Sequence, residues 1–254
     1  MAKHKNIRLL ALAVLACLFS GCTVSYRANS RFQEQAKPIR TIAILPSEVR
    51  VYKIDVNEVR EEIAEWSVQA RNNVVAAFEN ELHAKMKTVV KVVSEDSLAE
   101  KKQLLEDTRA LYAAVSAMIS LHTYPIPNFS SLRFDDKVRN FDYSLGTEVG
   151  SLGNGADALL FFYAEDHVWT AGRKRLQTLA IILGIGVGVA TGVFIIPQLG
   201  GGTGMRAELI DGHTGDILWM NAVGSRTGKD LRDPASARAM VNELFKDFPV
   251  SYDH

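Results

Sequence analysis

Apolar positions along the chain switch between a two-residue and a three-to-four-residue period. Thr41-Ile42-Ala43-Ile44-Leu45 is a short β-prone run stopped by Pro46, the form of a strand buried on both faces, and Val49 to Ile54 extends it or pairs with it. From Glu58 to about Lys87, Val59, Ile63, Trp66, Ala70, Val74, Phe78 and Leu82 recur at helical spacing without Pro or Gly, which predicts a long amphipathic helix. Thr88 to Val93 predicts a β-branched strand. Ser97 and Glu100 then form an S-x-x-E capping box that opens a second helix. Its stripe runs through Leu98, Leu105, Tyr112, Val115 and Ile119 and stops before Tyr124-Pro125-Ile126-Pro127.

Further on, Val138, Phe141, Leu145, Val149 and Leu152 keep helical spacing until Gly153-Asn154-Gly155 breaks it. Ala158 to Tyr163 is continuously hydrophobic and predicts a central strand. Met205-Arg206-Ala207-Glu208-Leu209 alternates apolar and charged residues as a half-exposed strand does. Asp211 to Asp216 reads as a turn and Ile217 to Met220 as the returning arm of a hairpin, with Gly215 free to take positive φ. Asp233-Pro234, an N-cap followed by Pro at the first helical position, opens a last helix with Ala237, Met240, Val241, Leu244 and Phe245 inward. The order strand, helix, strand, helix, helix, strand, hairpin, helix predicts a single α/β domain, a mixed sheet flanked by helices in three layers.

The start of the chain follows different rules. Lys3, His4, Lys5 and Arg8 precede an apolar run from Leu9 to Phe19, too short to span a bilayer comfortably, and then Ser20-Gly21-Cys22. This is a secretory signal over 1–21 whose small-small-Cys ending resembles the bacterial lipobox, with Phe19 where Leu is commonest. Cys22 is therefore the expected lipid attachment point. The resemblance implies three acyl chains, palmitate among them, and Thr23 after the cysteine favours the outer membrane over inner-membrane retention. Residues 22–38 read as a polar lipidated tether and 39–254 as the periplasmic domain.

Composition narrows the function classes. The 254 residues hold 29 Lys+Arg, 29 Asp+Glu and two cysteines. Lys3, Lys5 and Arg8 leave with the signal, so a chain starting at Cys22 carries 26 basic against 29 acidic side chains. Such a balance gives no electrostatic footprint for nucleic acid. Cys17 also lies in the signal, which leaves Cys22 alone and no internal disulfide.

The strand Ile42 to Pro46 after the tether, the strand Asp157-Ala158-Leu159-Leu160-Phe161, and the hairpin Leu209-Ile210-Asp211 with Thr214-Gly215-Asp216-Ile217-Leu218-Trp219 resemble the α/β domain of TolB N-terminal-like lipoproteins, a group that includes the curli-secretion channel lipoprotein. The similarity runs over roughly 40–254 in order of elements, and its sharpest motif is the hairpin, which turn chemistry readily produces. It implies a non-enzymatic envelope role.

One segment does not suit an ordinary soluble domain. Leu179 to Ile196 is 18 residues without a charge, preceded by Arg173-Lys174-Arg175 and followed by Gly-rich sequence, so 173–204 reads as an apolar insertion. As a helix it places Gly184, Gly188 and Gly192 on one face, a glycine zipper that lets helices approach closely. Three readings stay open: a helix or loop buried in its own domain, membrane insertion with the cationic cluster at headgroups, or a contact with protein.

Catalytic signals are few. Glu165-Asp166-His167 offers two carboxylates and an imidazole, but neighbours on a strand point to opposite faces, and no second His or Cys cluster completes a metal site. His213 in the hairpin turn is expected to be exposed. Gly200 to Gly204 leads into a strand with no Gly-Lys-Ser/Thr, unlike a phosphate loop. The expectation is a lipid-anchored periplasmic outer-membrane lipoprotein that binds or assembles, with no catalytic residue, metal or cofactor beyond the lipid on Cys22. Its partners are membrane lipid together with an envelope protein or a second copy, contacted through Arg173, Lys174, Arg175, Gly184, Gly188 and Gly192. The alternatives are an oligomeric export subunit of the curli type and an envelope enzyme using Glu165, Asp166 and His167.

Overall fold

The computed structural model describes residues 27–57, 59–123, 134–170, 202–225 and 229–249. Among these residues eight strands form one mixed sheet in the order β1-β8-β7-β6-β2-β5, with β3 beside β6 and β4 beside β3. The strands are β1 (Arg27–Ala28), β2 (Thr41–Ile44), β3 (Glu48–Ile54), β4 (Arg60–Glu62), β5 (Val89–Val92), β6 (Ala158–Trp169), β7 (Thr203–Asp211) and β8 (Ile217–Ser225). The helices are α1 (Phe32–Ala36), α2 (Ala64–Met86), α3 (Lys102–Thr123), α4 (Asp135–Asn140) and α5 (Pro234–Leu244). The α/β class and the mixed sheet flanked by helices are as the sequence predicts.

β6 is the spine of the sheet, because β2 and β3 lie end to end along one edge of it, both parallel, while β7 runs antiparallel along the other. Pro46-Ser47 makes the joint between β2 and β3. The Ser47 hydroxyl donates to the Leu45 carbonyl at 2.9 Å and accepts from Phe162 N at 3.1 Å, so the ladder continues across the bend. Asp157 fixes the other end of this pairing, accepting from Arg40 N, Thr41 N and the Thr41 hydroxyl, each at 2.9 Å.

The alternation along β6 sends its side chains into two cores. Ala158, Leu160, Phe162 and Ala164 pack with α2, α5 and α1, whereas Leu159 and Phe161 pack with α3 and the loop after α4. Phe78 of α2, fully buried 4.8 Å from the Phe162 ring, stabilises the first layer by about 1.5–3 kcal/mol relative to an exposed phenylalanine. In the second layer Tyr112 stacks on Phe161 at 4.7 Å.

Four local expectations change. The helix expected from Glu58 starts at Ala64, because Asp55 Oδ1 accepts from Asn57 N and Val59 N and turns the chain back, so that β4 pairs antiparallel with β3. The second helix does not open on the Ser97–Glu100 box. A 3₁₀ segment, Asp96–Lys101, precedes it, and Ser94 takes the capping role, its hydroxyl accepting from Ser97 N at 3.2 Å. Val138 to Leu152 is not one helix: α4 ends at Phe141 with φ 49°, Gly146 has φ 80°, and a 3₁₀ segment, Thr147–Gly153, follows. Within the tether expected over 22–38, residues 27–38 form β1 on β8 and then α1, and Phe32 and Ala36, with Ile39 just after, are buried against the domain.

Candidate functional site

Cys22, Arg173, Lys174, Arg175, Gly184, Gly188 and Gly192 lie outside the described residues. The places where the chain leaves and re-enters the described sheet are nevertheless defined. β6 and β7 pair down to Asp166↔Thr203, and His167 N donates to Gly202 O at 3.1 Å, so the 171–201 segment leaves and returns at one end of the two central strands. β8 runs toward that same end, with Ser225 opposite Thr203. β1 runs against β8, Arg27 facing Met220 and Ala28 facing Trp219, so the chain arrives at β1 from the insertion end. The β3–β4 turn sits there too and carries the exposed Val56 and Val59, next to the Ile54↔Trp169 pair. Among the described residues, no helix is long and apolar enough to cross a membrane.

β6 extends six residues past Tyr163 and includes Glu165-Asp166-His167. Strand alternation divides the three as expected. Glu165 and His167 share the α3 face, with Glu165 Oε1 and His167 Nε2 2.6 Å apart, and the Tyr163 hydroxyl donates to Glu165 Oε2 at 2.6 Å. Asp166 turns to the other face, where its Oδ1 lies 2.8 Å from the Thr203 hydroxyl, which also reaches Lys229 O at 2.6 Å, and its Oδ2 accepts from Leu231 N at 3.0 Å. Burial raises its pKa, and the two hydrogen bonds oppose that rise. Asp166 thus ties the chain before α5 to the sheet. The three residues do not converge on one point, and among the described residues no cluster of His, Cys, Asp and Glu could hold a metal ion. His213 is exposed in the hairpin turn, its N–H donating to Asp211 Oδ1 at 2.8 Å.

A site that the sequence reading missed lies on the α3 face. The charged residues of β7 were expected at a half-exposed surface, but α3 covers this strand and Glu208 is completely buried. Ser116, one turn after Tyr112 on the inward stripe of α3, donates to the Tyr112 carbonyl at 2.7 Å and lies 2.6 Å from Glu208 Oε1. A hydroxyl has one hydrogen and a carbonyl has none to give. Both short contacts are therefore satisfied together when Glu208 is the protonated partner that donates to Ser116. Burial acts the same way, pushing the Glu208 carboxyl up from 4.5 to about 8.

Beside this acid, Arg206 projects from β7 between two tyrosine rings, its guanidinium carbon 5.4 Å from the Tyr112 centroid and 5.0 Å from that of Tyr163. The Arg206 Nε and the Tyr112 hydroxyl are buried without a hydrogen-bond partner. A cavity of ≈ 300 Å³ opens above them, bounded by α3 on one side and by Phe161, Phe162 and Tyr163 on the other, with Glu48, Glu106 and Arg109 around its mouth. The sequence carried little signal for it, because Ser116 is one of three hydroxyl residues on the buried stripe of α3, with Thr108 and Thr123, and all three donate to a carbonyl of their own helix.

No family model matches the chain, and no curated protein matches it by sequence. Solved structures similar to it include the PelC dodecamer from Paraburkholderia phytofirmans, at 14% identity over 81% of this chain and 84% of that one, with a TM-score of 0.34. Two others are the LpoB C-terminal domain from Salmonella enterica (13% identity, 79% and 96% covered, TM-score 0.27) and lipoprotein GNA1162 from Neisseria meningitidis (11% identity, 82% and 96% covered, TM-score 0.29). Likeness at these scores assigns neither a family nor a role.

Proposed function

We propose that this protein is an outer-membrane lipoprotein, acylated on Cys22 and facing the periplasm, that works by binding or assembly and contacts membrane or a partner subunit through residues 173–204. The observation that carries the reading is the shared end of the sheet. The chain enters β1 from the end at which β6 gives out the apolar insertion and β7 takes it back. Arg27 lies opposite Met220, five β8 positions or about 17 Å short of that end, and Cys22 stands five residues before Arg27, so an extended tether of about 17 Å brings the lipid to it. Anchor and insertion then work at one surface, and confinement there raises the effective concentration for partners on the same membrane. The envelope-enzyme alternative is weakened, because Asp166 is occupied with Thr203 and Leu231 N rather than grouped with Glu165 and His167.

Deleting 176–199 and closing the gap with a short Gly-rich turn tests the proposal. The Asp166↔Thr203 pairing lets β6 and β7 close as a hairpin, so the domain is expected to keep its circular dichroism and its lipid. Self-association and crosslinks to envelope proteins should be lost. Localisation, self-association and crosslinks all unchanged from the full chain would overturn the assignment of 173–204 as the contact element.

A further inference from the structure

We infer that the cavity beneath α3 binds a small organic anion with a compact apolar body, received by Arg206. The cavity floor holds a cation with no carboxylate partner among the described residues: no ion pair forms to Arg206, and the carboxyl beside it, Glu208, is engaged with Ser116. Around the mouth Glu48 pairs with Arg50 at 3.0 Å and Arg109 pairs with both Glu95 and Glu106, so both cations there are engaged and one carboxylate is in excess. Arg206 at the floor is therefore the cation left to receive an anion.

The form of the floor specifies the head group. Tyr112 and Tyr163 lie against Arg206 at cation–π distance, which partly replaces lost hydration but supplies no hydrogen-bond acceptor. The ring contacts leave the guanidinium edge for in-plane hydrogen bonds, the geometry in which arginine takes a carboxylate through two parallel N–H donors. Arg206 Nε–H is a donor without an acceptor, and the Tyr112 hydroxyl, which can donate or accept, is unpartnered beside it, as is Glu208 Oε2, so one incoming oxygen acceptor can satisfy the first two together. The Tyr112 hydroxyl belongs to a side chain that is 96% buried, so water does not replace that acceptor at low cost.

The walls specify the body. Phe161, the Tyr112 ring, Ala110 and Ala113 present carbon, and ≈ 300 Å³ lies at the small end of ligand sites, enough for one ring or a short branched chain. This inference does not depend on the lipid anchor or on residues 173–204.

The test uses the full chain in mild detergent, titrated calorimetrically with phenylacetate and, separately, with phenylacetamide, its neutral isostere. Phenylacetate should bind saturably and the amide at least about tenfold more weakly. Arg206→Met, which keeps the packing stem, should abolish that preference. Because Arg206→Met alters the cavity floor, Ala113→Phe supplies a second variant: it sits on the exposed side of α3, fills the cavity mouth and should also remove phenylacetate binding while the melting temperature stays at the wild-type value. Equal binding of acid and amide, unchanged phenylacetate affinity in either variant, or no binding of phenylacetate up to about 10 mM would each overturn the inference.

Discussion

Replacing Glu208 by Gln should stabilise the protein at neutral pH and remove most of its pH dependence between about pH 5 and pH 8. The native carboxyl titrates near 8 and an unfolded one near 4.5. Between those values the native chain binds one proton more than the unfolded chain, so stability falls as pH rises, by about 1.4 kcal/mol per pH unit. The contribution is complete below 4.5 and is exhausted above 8. At pH 7 holding the proton costs about 3 kcal/mol. Gln removes that cost: its side-chain amide donates to Ser116 where the acid O–H did, and needs no proton to do so. Allowing for imperfect seating of the amide, the net gain at pH 7 should be about 1–3 kcal/mol.

The assay is urea unfolding of the full chain and the variant at about pH 5, 6, 7 and 8. Tryptophan fluorescence can follow it, since Trp219 is buried 4.9 Å from the Phe245 ring and 4.9 Å from that of Phe248. A variant less stable than wild type at pH 7, with the same slope against pH, would mean that Glu208 is ionised in the native chain. The proton assignment at Ser116 would then be wrong.

Three further substitutions probe the frame around the sites. Asp157→Ala removes three hydrogen bonds to the start of β2 and should cost about 1–3 kcal/mol in the same unfolding assay. The Arg40 N–H, with Thr41, holds the Asp157 carboxyl below the ordinary range, so its contribution is present at neutral pH and should fade as pH falls below about 4. Gly215→Ala should destabilise by more than about 1 kcal/mol, because φ is 74° and the new Cβ would lie 2.0 Å from Gly146 O; an unchanged melting temperature would contradict this. Asp166→Asn can keep both contacts, its amide oxygen accepting from Leu231 N and its NH2 donating to the Thr203 oxygen while the Thr203 hydrogen serves Lys229 O, so stability should change by less than about 1 kcal/mol. Loss of an envelope activity at that stability would favour the catalytic alternative.

Element types were legible in the sequence wherever burial and periodicity agree. β2, β6, the β7–β8 hairpin and α5 follow from apolar runs and from turn and cap chemistry that act locally, as Asp233 shows by accepting from Ala235 N and Ser236 N. Boundaries failed where a nearby polar side chain redirected the backbone. Val59 and Ile63 fit the helical stripe of α2, yet the Asp55 turn draws 60–62 into β4, a competition that hydrophobic spacing does not register. The buried acid was illegible for a different reason. Arg206 and Glu208 alternate with apolar neighbours as exposed residues do, and only the packing of α3 over β7 converts that polar face into an interior with one cation and one protonated carboxyl. The cavity depends on tertiary contact between residues about 90 positions apart, which no sequence window contains.

The end-on arrangement of the sheet makes one last prediction about orientation. If Cys22 carries lipid and 173–204 docks at the same surface, the end of the sheet bearing Thr170, Gly202 and the β3–β4 turn should face the bilayer and the β7–β8 turn should face away. β6 alone spans 12 residues, so the two ends are separated by about 40 Å, far beyond the reach of lipid-borne quenchers at the distal end. The proximal turn exposes two apolar side chains, Val56 and Val59, at 47% and 59%, which can enter a membrane surface although Asp55, Glu61 and Glu62 outnumber Lys53 and Arg60 there. With Cys22 acylated, the mature chain offers no other thiol, so a fluorophore can be placed on Asn57→Cys or on His213→Cys alone. In vesicles containing brominated lipid, the label at position 57 should be quenched and the label at 213 should not. Equal quenching at both positions, or quenching only at 213, would place the anchor and the insertion at different ends of the sheet and remove the geometric basis for a joint membrane contact.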